Sequence, residues 1–200
     1  MALFKPATKK GTRYTGLCKS AIVGFEDRSG QYEFGDLLLE VHLKQEGQEW
    51  PRKMSIMGVI EKDPTTNVVT GGNAFTRLYA FFEAIGCKAG LNIKGDWEDE
   101  NGDVITDIAE YLTARYAQDA NAKDLNFDYY AYYYKEAPKG PNKKSYVRVM
   151  PMLTRANKEG EQNIMQSVEW RKSKGFLKEW DETMAPTESA DIGLGALEIL

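Results

Sequence analysis

The sequence predicts a mainly β fold of five strands, with one well-marked helix between the third and fourth strands and added helical segments further on. Three observations carry this. Leu37, Leu39, Val41 and Leu43 alternate with Leu38, Glu40 and His42, the period of two of a half-buried strand. Aromatic and β-branched residues, which favour pleated surfaces, gather in FDYYAYYYK (127–135) and YVRVMPMLT (146–154). Phe75, Leu78, Tyr79, Phe82 and Ile85 fall at the spacing of one helix face.

In chain order, residues 1–12 form a short basic arm, expected to be flexible. Residues 14–25 read as the first strand, centred on Ala21, Ile22 and Val23. Glu26–Gly30 is a polar turn with a late glycine, as hairpins use. The alternating stretch 37–43 is the second strand, and residues 50–60 the third. Pro51 stands near the start of that third strand, where a missing N–H does least harm. These three form an antiparallel meander. Asn73 is the expected cap of the helix that follows, and Gly86 its stop. Residues 94–103 form an acidic loop. Residues 107–116 are expected to form a second helix, with Ile108, Tyr111, Leu112 and Arg115 three or four apart. Strands four and five pair as a hairpin across the Pro/Gly/Lys loop 136–144. Residues 162–173 fit an amphipathic helix carrying Ile164, Met165, Val168 and Trp170. The organisation is therefore a basic arm (1–12), one domain (13–181) and an acidic tail (182–200) expected to be disordered.

The chain of 200 residues is 42% hydrophobic and 28% charged, the composition of a globular protein with a real core. No run of about 18 apolar residues offers a membrane span. The N-terminus has no apolar core of a secretory leader, so a cytoplasmic location is expected, the host cytoplasm if the protein is viral. Two cysteines and one histidine leave no metal or redox spacing, and no metal or cofactor is expected. The formal net charge of −4 hides four blocks of opposite sign. Residues 1–20 carry five basic groups and no acid, and residues 135–178 carry eleven basic groups against four acids. Residues 21–134 are net acidic, and residues 179–200 hold six acids and no base. Such asymmetry says more about partners than the average does.

The strongest constellation is aromatic and basic together. Tyr130, Tyr132 and Tyr134 share one face of the fourth strand, and Phe127, Tyr129 and Tyr133 the other. One face must fill the core, whereas the other can offer a stacking platform. Tyr130, Tyr132 and Tyr134 are expected outward, with Tyr146 and Arg148 beside them. Lys135, Lys139, Lys143, Lys144 and Arg155 add cations, and Trp50, Arg52 and Lys53 form a second patch. Any base can stack on an aromatic face, and cations track the phosphates, which is the chemistry of sequence-tolerant single-strand binding. The alternative, both tyrosine faces buried, stays open.

This layout resembles phage replication proteins of the single-stranded DNA-binding type. The residues behind the resemblance are the meander 14–60, the helix NAFTRLYAFFEAIG, the hairpin FDYYAYYYK…YVRVMPMLT and the tail ESADIGLGALEIL. It implies a five-stranded oligonucleotide/oligosaccharide-binding (OB) barrel with a helix between strands three and four, and a non-enzymatic role in DNA replication and recombination. It further implies that Glu188, Asp191, Glu198, Ile199 and Leu200 recruit replication proteins such as polymerase or helicase-primase, and that the acidic tail competes with DNA. The family's tail often ends in an aromatic residue, whereas this one ends in Leu200. A homodimer is compatible with the reading. Two other classes compete with it. One is a metal-dependent nuclease using Asp96, Glu98, Asp99, Glu100 and Asp103. The other is a structural protein whose tyrosines lie at a subunit contact.

Overall fold

The computed structural model describes residues 15–33, 35–138 and 145–180. In chain order the elements are β1 (Gly16–Asp27), β2 (Leu37–Gln45), β3 (Arg52–Gly58), β4 (Glu61–Lys62), β5 (Val69–Gly71) and α1 (Asn73–Ile85). They continue with β6 (Gly90–Leu91), β7 (Trp97–Glu98), β8 (Val104–Ile105), α2 (Ile108–Tyr116), β9 (Tyr129–Glu136), β10 (Tyr146–Arg155) and α3 (Lys158–Ser173). The expected arm and tail lie outside the described residues.

The five long strands form one antiparallel sheet in the order β10-β9-β1-β2-β3. The meander β1-β2-β3 and the hairpin β9-β10 are as the alternation predicts. The long connection through α1 and α2 returns β9 to the free side of β1, so a fourth strand lies beside the first, as in a Greek key. The fold is thus mainly β with added helices, but the barrel is not closed. The edges β3 and β10 approach to within 8 Å between Cα atoms, yet no ladder joins them. Two features keep the seam open. The β9–β10 register shifts between Val149 and Leu153, a bulge that contains Pro151, which has no N–H to give. Across the gap, Arg77 Nη1 donates to the Met57 carbonyl at 2.5 Å and so occupies an acceptor of the β3 edge.

The main core lies between the inner sheet face and α1 and α2. Ile22, Leu39, Val41, Met54, Ile56, Tyr133 and Val149 meet Leu78, Phe82, Ile85 and Leu112 there. Each large apolar side chain removed from water contributes about 1.5–3 kcal/mol, far more than helix propensity. Gly58 lets α1 sit directly on β3, since a Cβ there would lie 2.6 Å from the Ala74 backbone. Asn73 does not cap α1. The N-cap is Gly72, at φ 117°, and the Asn73 side chain instead accepts from the Val59 amide at 2.8 Å.

A second, smaller core lies on the outer face. Leu17, Tyr130, Tyr132 and Met150 pack under Ile164 and Val168 of α3 and under Leu177. The third helix begins at Lys158, earlier than its apolar spacing predicts. The cause is Asn157, whose side chain accepts from the Gly160 amide at 2.7 Å and caps the first turn.

Candidate nucleic-acid interface

The predicted site residues fall into three groups. Tyr130 and Tyr132 are 8% and 6% exposed, which corrects the expectation that they face outward. The alternation itself is right: Tyr129 and Tyr133 enter the main core and Tyr130 and Tyr132 the opposite face. That opposite face is roofed by α3 and by the segment that follows it. Glu179 accepts from the Tyr132 hydroxyl, Lys172 pairs with Glu179 at 3.0 Å, and the Trp180 amide donates to the Lys135 carbonyl at 3.0 Å. Burial, then the Glu179 carboxylate, pushes the Tyr132 hydroxyl up to about 12. Tyr132 is therefore a neutral, bonded core residue.

Other cations already have partners. Lys53 Nζ lies 2.6 Å from Glu40 and 2.9 Å from Glu26, and Arg28 completes the network at 2.8 Å from Glu26. Arg28 and then Lys53 hold the Glu26 carboxyl at about 2. Arg155 stands 5.0 Å over the Tyr129 ring and donates to the Ile85 carbonyl at 3.2 Å. Lys135 Nζ is 6.0 Å from the Trp180 ring. Trp50 is 74% exposed in the turn before β3, and Arg52 is half-buried on that strand. Lys139, Lys143, Lys144, Glu188, Asp191, Glu198, Ile199 and Leu200 lie outside the described residues.

The third group is brought together by the open seam. Tyr134, Arg148 and Lys53 line an outer cleft of about 330 Å³ with Met57, Phe176 and Arg171. Arg148 pairs with Glu136 at 3.0 Å and remains exposed. Tyr146, 61% exposed, lies farther along the same strand. Trp170 and Phe176, both exposed, meet with ring centroids 5.7 Å apart. A second cleft of about 450 Å³ opens on the α1 side of the seam, and Pro151 and Arg171 line both. Burial, then the charge of Arg77, lowers the Arg171 pKa. Arg77, Arg171 and Phe176 were outside the sequence expectation, and Trp170 entered it only as part of the amphipathic helix 162–173. Trp170 carried a usable signal: it falls off the Ile164/Val168 stripe that docks α3, and so must point elsewhere.

The acidic loop does not assemble a metal centre. Asp99 accepts from the amides of Asn101 and Asp103 at 2.8 and 3.0 Å and shapes the turn between β7 and β8, while Glu100 pairs with Lys88 at 2.9 Å. Among the described residues, the potential ligand atoms that converge within 4.8 Å belong to Glu26, Glu40 and His42. Lys53 and Arg28 already neutralise those carboxylates. Burial, then the Lys53 charge, lowers the His42 pKa, so its imidazole is neutral at pH 7.

No family model, curated protein or solved structure matches the chain.

Proposed function

We propose that the protein is a non-enzymatic, sequence-tolerant single-stranded DNA-binding protein of the phage replication and recombination type that its sequence resembles. The observation that carries this reading is the outer seam cleft, where Tyr134, Phe176, Arg148 and Arg171 meet beside Trp170. Exposed rings accept any base, at about 1–3 kcal/mol each, and guanidinium groups take phosphates. The five-stranded Greek-key sheet with a helix between its third and fourth long strands supports the reading, because small open barrels of this kind bind oligonucleotides across one face. The stacking surface is Phe176, Trp170 and Tyr146 rather than Tyr130 and Tyr132. Lys139, Lys143 and Lys144 follow β9 in sequence and add positive charge between β9 and β10. The acidic residues of 182–200 compete with DNA for it, and Ile199 and Leu200 recruit replication proteins.

Fluorescence anisotropy with a labelled dT oligomer at about 50 and 200 mM salt tests this. Binding that weakens steeply with salt is expected, and Trp170→Ala or Phe176→Ala should weaken it roughly tenfold, within the range of one lost stacking contact. Removal of residues 182–200 should tighten it. No binding of the full chain at the lower salt rejects the reading.

A further inference from the structure

The open seam leaves two guanidinium groups facing one cleft without a carboxylate partner among the described residues. Arg171 Nε is sealed from solvent and has no hydrogen-bond partner there. Arg77 reaches the same cleft from α1, anchored by its bond to the Met57 carbonyl. The other cations of the two clefts are committed elsewhere: Lys53 to Glu26 and Glu40, Arg148 to Glu136, and Arg155 to the Tyr129 ring and the Ile85 carbonyl. Glu83 and Glu159 also line the α1-side cleft, but neither pairs with Arg77 or Arg171. Two like charges held together, one of them partly desolvated, are unfavourable until an anion joins them. The planar fork of arginine matches two oxygens of a phosphate, and two forks converging from different helices match one phosphate better than a single carboxylate. Arg171 lines both clefts, and its chain neighbour Trp170 meets Phe176 on the outer side.

We propose that Arg77 and Arg171 together grip one phosphate in the seam, and that this phosphate belongs to the backbone of the strand whose bases stack on Phe176 and Trp170. This rests on the function proposed above. The test measures anisotropy of a labelled dT oligomer over a range of salt with five full-length proteins: unchanged, R171Q, R77Q/R171Q, R77K/R171K, and the charge-matched control K94Q/K123Q, whose lysines are exposed and lie outside both clefts. Loss of one phosphate contact should lower the slope of log K against log salt by about 0.7 and weaken low-salt binding roughly tenfold. R171Q should show most of this effect, R77Q/R171Q all of it, and the control pair little. Thermal unfolding confirms that each variant folds. R77K/R171K, which keeps charge but loses the fork, should fall between.

An unchanged slope and affinity in R77Q/R171Q overturns the clamp while leaving the function standing, as does an equal loss in the control pair. Should the unchanged protein fail to bind the oligomer, the function itself fails, and pyrophosphate at matched ionic strength decides what remains. A thermal shift lost in R77Q/R171Q would keep the anion site and overturn its assignment to a nucleic-acid backbone. No shift would overturn the site as well.

Discussion

Tyr132 shows how one hydroxyl distinguishes a core residue from a stacking surface. Its ring is covered by α3 and its oxygen is bonded to Glu179, with Lys172 Nζ at 3.4 Å. Tyr132→Phe should cost about 1.5 kcal/mol, one hydrogen bond to a charged group at the low end of its range, and leave dT binding unchanged. Tyr132→Ala should cost about 3–5 kcal/mol by opening a cavity. Urea denaturation and anisotropy on the same samples check both. Glu26 makes a second prediction. Its folded pKa, about 2, lies below its ordinary 4.5, so the Arg28–Glu26–Lys53 network contributes stability that is complete above about pH 4.5. That contribution is lost as pH falls toward 2. Because the half-buried Glu26 carboxylate still reaches solvent, the effect is small and screened by salt. In Glu26→Gln the fall in Tm between pH 5 and pH 2.5 should be shallower than in the unchanged protein, with the difference shrinking at high salt.

Among the elements, α3 decides what the sheet can present. Gly160 in its first turn approaches β10 so closely that a Cβ would stand 2.0 Å from the Arg155 carbonyl oxygen. Gly160→Ala should therefore destabilise the protein by more than about 1 kcal/mol, although alanine is the better helix former. Asn157→Ala should cost about 1 kcal/mol through loss of the cap. Chemical denaturation of both variants checks these figures. The strands and α1 were legible because each carries its own local periodicity. The short pairs β4–β5 and β6-β7-β8 were not, because two- and three-residue strands are too short to show a period. Asx turns such as those of Asp63 and Asp99 look like loop in a sequence. Alternation in residues 129–134 identified two faces of β9. It could not say which face is covered, since that depends on α3 docking from more than twenty residues away.

For the whole molecule, the charge blocks and the chain path meet at the seam. Arg148 and Arg171 belong to the basic block 135–178, and they meet at the seam although they lie twenty-three positions apart. Arg77 comes from the acidic block and was invisible as a partner, because only the Greek-key return brings α1 against β10. Under the proposed function, base stacking falls to Phe176 and Trp170 instead. Those rings are exposed because the roof over Tyr130 and Tyr132 has an outer side of its own. The hydrogen bond from the Trp180 amide to the Lys135 carbonyl ties that roof to the rim of β9. Main-chain atoms alone make that tie, so among substitutions at position 180 proline, which has no N–H, is the one that removes it.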